Sequence, residues 1–174
     1  MEARKSAALV AGLALVLGSC SFGSSQPKEV QFVDGQFSMM KPASWSMLSN
    51  LNEKADLQMG NPFREAYCTV LTESKEDFRE DFSLEEFGEI TRGTLLSSVQ
   101  DASSDGPESL DVNGQRAIRY ELAGSVDNVK VRYWHIVVDA DSHFHQVILW
   151  SLPSKFEGNR RDFDMVLSSL KKVG

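Results

Sequence analysis

The chain has 174 residues, of which 41% are hydrophobic, 25% charged and 9% aromatic, a globular balance that excludes a disordered or collagen-like polymer. That length holds one compact domain plus a short appendage, and a core of that size folds without a disulfide framework or a metal. The formal charge of −7, from 18 Lys and Arg against 25 Asp and Glu, argues against a protein that tracks nucleic-acid phosphates.

Arg4 and Lys5 form a positive start, and Ala7 to Leu17 is an apolar run that ends at Gly18, Ser19 and Cys20. A membrane-spanning helix needs about 20 apolar residues, so this shorter run reads as a secretory leader. Leu17-Gly18-Ser19-Cys20 resembles the bacterial lipobox, an aliphatic residue and two small ones before a cysteine. The resemblance implies cleavage between Ser19 and Cys20, with diacylglycerol on the Cys20 sulfur and an acyl (palmitate-type) chain on the new amino terminus. More than one acyl chain is what makes such anchoring stable. The expected domain plan is therefore a signal peptide over 1–19, a lipidated cysteine and tether over 20–30, and a globular domain over 31–174. Losing Glu2, Arg4 and Lys5 removes a net +1, so the mature part stays acidic. Ser21 stands where an Asp marks inner-membrane retention in enteric lipoproteins. By that resemblance the protein sits in the cell envelope, facing the periplasm from the outer membrane, with the inner membrane as the alternative. Ser21 to Glu29 has the Ser/Gly/Pro composition of a flexible tether.

The domain is expected to fold from near Val30. Gln36 to Met40 alternates apolar and polar residues, Lys41-Pro42 stops it, and Trp45 opens a second short strand. Ala66 to Leu71 reads as a buried strand that places Cys68 inside the sheet as a small hydrophobe. Ser83-Leu84-Glu85-Glu86 matches a capping box, so a helix starts there and runs through about Val99, with Leu84, Phe87, Thr91 and Leu95 on its packing face and Ile90 flanking. The carboxylates between Glu73 and Glu89 read as a solvated face. Asn113-Gly114 signals a hairpin, and Arg116 to Leu122 alternates beyond it. Val129 to Val138 and Phe144 to Trp150 read as central strands joined by a turn at Asp139 to Ser142. A last helix from near Asn159 places Phe163, Val166, Leu167 and Leu170 on one face, with Lys171 and Lys172 in its final turn.

Strands, helix, antiparallel strands and helix make an α+β domain, an antiparallel sheet covered by helices. The segment Phe37 to Trp45, the capped helix at Ser83 to Phe87, the Val112 to Ala117 turn and the Phe163 to Leu170 helix are similar to the PsbP-like superfamily. That superfamily includes extrinsic photosystem proteins, Mog-type Ran-binding proteins and bacterial DcrB-type lipoproteins, and the DcrB-type branch shares the lipobox. The resemblance implies an α/β/α sandwich over nearly all of 31–173 and carries no common catalytic set.

Two chemical constellations stand out. His143 and His145 lie two apart on a strand and so share a face, which makes them candidate metal ligands. A four-residue loop would pair Val138 with His143 and put His135, the third imidazole, on the opposite face. Arg116, Arg119 and Arg132 alternate with apolar residues and could present a cationic face to an acidic or lipid-headgroup partner. Trp45, Trp134 and Trp150 read first as packing, with a stacking role for a ligand as the alternative. No hydrolase elbow, zinc-protease motif or phosphate-binding glycine loop occurs, and nothing calls for a cofactor. The expectation is a lipid-anchored, non-catalytic envelope protein that binds another envelope protein or supports an assembly. A small-ligand or metal-binding periplasmic lipoprotein is the alternative.

Overall fold

The computed structural model describes residues 26–174. The leader, Ser19, Cys20 and most of the tether lie outside the described residues.

Among the described residues ten strands and two α-helices follow in the order β1 (Lys28–Phe32), β2 (Phe37–Lys41), β3 (Ser46–Met47), β4 (Leu57–Asn61), β5 (Ala66–Ser74), α1 (Leu84–Ser97), β6 (Gln100–Val112), β7 (Gln115–Val126), β8 (Val129–Ala140), β9 (His143–Ser151), α2 (Pro153–Ser168) and β10 (Lys171–Lys172). Seven strands form an antiparallel sheet in the order β3-β4-β5-β9-β8-β7-β6, and β1-β2-β10 form a second, smaller sheet. This is the expected antiparallel sheet with helices on its faces. β1 begins at Lys28, so strand pairing takes in three residues, Lys28 to Val30, of the 20–30 segment read as tether.

Because side chains alternate along each strand, the large sheet carries two cores. On one face Met59, Cys68, Val70, Trp134, Ile136, Val147 and Leu149 pack under α2 and the small sheet, through Phe156, Phe163, Val166, Phe32 and Phe37. On the other face Ile118, Tyr120, Val137, Phe144 and Ile148 pack under Leu84 and Phe87 of α1. Each fully buried side chain of this kind contributes roughly 1.5–3 kcal/mol.

Local chemistry sets the boundaries. The Ser83 hydroxyl accepts from the Glu86 amide at 3.1 Å, and the Glu86 carboxylate accepts from the Ser83 amide at 3.0 Å, completing the capping box. Gly88 lets α1 sit close to the sheet, since a Cβ there would stand 2.5 Å from Ile118 Cδ1. Asn113 and Gly114 both take positive φ in the predicted hairpin turn, and so do Asp127 and Asn128 between β7 and β8.

Several expectations are corrected. α1 ends at Ser97, and Ile90 faces solvent at 59% exposure. α2 starts at Pro153 rather than near Asn159, because proline suits the first helical position. Lys171 and Lys172 are not in a helix but pair with Ser38 and Phe37 of β2. The β8–β9 turn is two residues, with Ala140 opposite His143 and Val138 opposite His145. The shift of two preserves the alternation, so His135 still lies on the face opposite His143 and His145.

Candidate functional site

On the α1 face the strand register sets side chains in rows across the sheet. Tyr67 of β5, Trp150 of β9 and Tyr133 of β8 make one row, and Val126 and Val129 pair at the β7–β8 hairpin end. α1 covers the neighbouring rows around Tyr120 and Phe144, and its Leu95 lines the cleft beside this row. Beside the last turn of the helix a cleft of about 400 Å³ remains open. Its floor is aromatic. Tyr67 stacks on Trp150 at 5.4 Å between ring centroids with 25° between planes, and Tyr133 lies 6.3 Å from Trp150. Trp150 and Tyr67 are half-buried, and Val126 and Val129 are 39% and 50% exposed.

The walls are fixed by specific contacts. Gly60 pairs with Tyr67 across β4 and β5, and a Cβ there would stand 3.0 Å from Tyr67 Cδ1 and 2.6 Å from the Ala66 carbonyl oxygen. The absent side chain leaves the ring its place. The buried Gln58 amide holds the loop at Leu51 and Asn52. Its Oε1 accepts from both amides, at 2.8 and 3.1 Å, and its Nε2 donates to the Asn52 carbonyl at 2.7 Å. Glu65 has φ of 53°, closing a short 3-10 turn at Pro62–Arg64 that the Asn61 side chain caps. This backbone places the Glu65 carboxylate to accept from the Tyr67 hydroxyl at 3.2 Å. Burial, reinforced by the Glu65 charge, raises the Tyr67 pKa, so the phenol stays protonated at neutral pH. The cleft therefore combines aromatic faces, aliphatic walls, two phenols and one carboxylate. Groups of these kinds are able to stack on a ring, exclude water and hydrogen-bond a polar group.

No protein-family model and no curated protein sequence matches the chain. Solved structures do. The solution structure of cyanobacterial PsbP (CyanoP) from Synechocystis sp. PCC 6803 aligns over 90% of this chain and 99% of its own, at 17% identity and a TM-score of 0.62. The fold is PsbP-like. LpqN, involved in cell envelope biogenesis of Mycobacterium tuberculosis, aligns over 86% of this chain and 91% of its own, at 12% identity and a TM-score of 0.64. A Pseudomonas aeruginosa protein of unknown function aligns over 85% and 98%, at 6% identity and 0.55. Likeness at these identities is likeness of architecture.

Within this PsbP-like domain, the histidines are divided between the two faces. His143 and His145 share one face with ring centroids 6.4 Å apart. His145 is fully buried against Phe32 and Phe37, and its Nδ1 lies 3.0 Å from the Thr72 hydroxyl. Burial, helped by His143, lowers its pKa to about 3. His135 is fully buried on the α1 face, 3.0 Å from the Gln146 amide, and burial lowers its pKa to about 4, with the Arg92 charge adding. Among the described residues no group of three or more His, Cys, Asp and Glu side chains is placed to hold a metal.

The three arginines do not form one cationic face. Arg116 points to the α1 side and pairs with Glu85 at 3.0 Å. Arg119 and Arg132 lie on the other side, each paired with glutamates and stacked on a ring. Arg119 pairs with Glu108 and lies 4.4 Å from the Trp134 ring centre. Arg132 pairs with Glu121 and Glu157 and lies 4.5 Å from that of Phe156.

Trp45 and Trp134 are core residues at 2% and 1% exposure, which leaves Trp150 as the indole that lines the cleft. Cys68 is fully buried, and burial pushes its thiol pKa up, away from the reactive thiolate. The cleft itself escaped the sequence reading, since its residues come from positions 51 to 152 and share no spacing. The one local signal was an indole closing the long apolar strand ending at Trp150.

Proposed function

We propose that this chain is a lipid-anchored protein of the bacterial cell envelope. It is held through Cys20 at the periplasmic face of the outer membrane and binds another envelope protein or assembly without catalysing a reaction. The observation that carries this reading is the open cleft, whose half-buried Tyr67 and Trp150 rings and exposed Val126 and Val129 offer contact area of the kind that anchors interfaces. The lipobox-like Leu17 to Cys20 supports the anchor, and the envelope role printed for LpqN, a structural neighbour, agrees with that setting. The acyl chains on Cys20 are the attachment proposed; no helix among the described residues is long and apolar enough to cross a membrane.

The anchor is tested by Cys20→Ala, which should lose acyl labelling and accumulate as precursor. Normal processing of that variant contradicts the lipoprotein reading. The binding role is tested by in-cell crosslinking and pull-down of the tagged protein beside Trp150→Ala. A discrete envelope partner that the variant loses supports it, and an unchanged pattern moves the interface off the cleft. A second reading, a small ligand in place of a protein, is favoured by the cleft's volume, which lies within the range of ligand sites. On the opposite face His145 is fully buried against Phe32 and Phe37.

A further inference from the structure

The cleft is polar at one end and apolar at the other. Its β5 end holds Glu65, the Tyr67 hydroxyl and Asn52, while its β7–β8 end holds Leu95, Val126 and Val129. Between them run the Trp150 and Tyr133 rings. Glu65 is the single charged side chain among the described residues that line it. Its cationic sequence neighbour Arg64 is turned away, pairing with Asp162 at 3.4 Å and donating to the Gly158 carbonyl at 2.5 Å. The Glu65 charge is therefore available to a ligand, beside the stacked Tyr67 and Trp150 faces. A carboxylate next to electron-rich ring faces suits an organic ammonium, which gains from the charge and from the ring quadrupoles together. An anion at the same place meets repulsion.

From this we infer that the cleft binds an organic ammonium carrying an apolar arm, with the cationic head at Glu65, Tyr67 and Trp150 and the arm lying over Tyr133 toward Val126 and Val129. The proposal deepens the small-ligand reading of the cleft and rests on it.

The test is isothermal titration of the full chain in neutral-lipid nanodiscs, with empty discs as blank and hexyltrimethylammonium as probe. Saturable one-to-one binding is expected. Glu65→Gln should weaken it about tenfold, whereas Glu157→Gln, which removes a carboxylate from the opposite face, should leave it unchanged. Hexanoate, with the same arm and opposite charge, should bind at least tenfold more weakly. Hexanoate binding as well as the ammonium, or equal losses in the two carboxylate variants, overturns the proposal. So does the absence of saturable binding. None of these outcomes disturbs the envelope-partner reading, which the Trp150→Ala comparison tests separately.

Discussion

The two faces of the seven-stranded sheet share the same strands yet are finished differently. The α2 face is closed by a 16-residue helix and the three-stranded sheet, and its margin is sealed by arginines stacked on Trp134 and Phe156 and paired with glutamates. The α1 face is covered by a 14-residue helix whose last turn, at Leu95, leaves the Tyr67–Trp150–Tyr133 row lining an open cleft. One face is thus closed, and the other, beside its own core under α1, leaves aromatic surface available. Aromatic content does not separate them, because both are rich in rings. What differs is how fully the covering elements enclose the rings, since Trp134, Phe156 and Phe163 are buried whereas Tyr67 and Trp150 are only half-buried.

The largest test of this contrast is truncation. Phe163→Ala, at a fully buried position on the α2 face, is expected to cost about 3–5 kcal/mol in chemical denaturation. Trp150→Ala removes a larger but half-buried ring and should cost less than half of that. Equal costs would break the division between a structural and an available face.

Acid comes next and strikes both faces. His135 and His145 are held neutral when folded, with pKa values lowered to about 4 and about 3, whereas an unfolded histidine takes up a proton near pH 6.5. Their contribution is therefore intact above pH 6.5 and declines as pH falls toward the folded values, by roughly 1.4 kcal/mol per pH unit for each residue. Urea midpoints should fall between pH 6.5 and 5, and His135→Gln with His145→Gln should flatten the slope. A flat wild-type profile contradicts the burial argument.

Smaller effects sharpen the account of α1. Gly88→Val should cost about 1–3 kcal/mol by lifting the helix from Ile118 and Tyr120. Ser83→Ala should cost about 1 kcal/mol through the lost cap. Both should leave the α2 face unaltered, read by protection of the β4 and β5 amides in hydrogen exchange. Loss of protection there would show that the two cores unfold as one.

Legibility in the sequence followed the same division between local and distant causes. The Ser83 capping box, the Asn113-Gly114 turn and the β-branched run from Val129 are decided by neighbours within a few residues, and each was readable. β4 was missed because all five of its residues are buried, so Leu57 to Asn61 shows no alternation. β6 was missed for the opposite reason. It is an edge strand, mostly exposed, interrupted by register shifts and carrying Pro107 and acidic side chains, features that protect an edge and hide it from pattern reading. The arginines misled because their alternation says which side of a strand they take, not which glutamate awaits them. The cleft depends on where α1 stops relative to a row formed by three strands, and no local pattern encodes that.

The central claim is that the open half of the α1 face is the binding surface. A photoreactive amino acid placed at Val129, compared in living cells with the same group at Arg160 on the α2 face, tests it most directly. A discrete adduct with an envelope component from position 129 and none from position 160 is the predicted result. The same adduct from both positions, or one from position 160 alone, would contradict it.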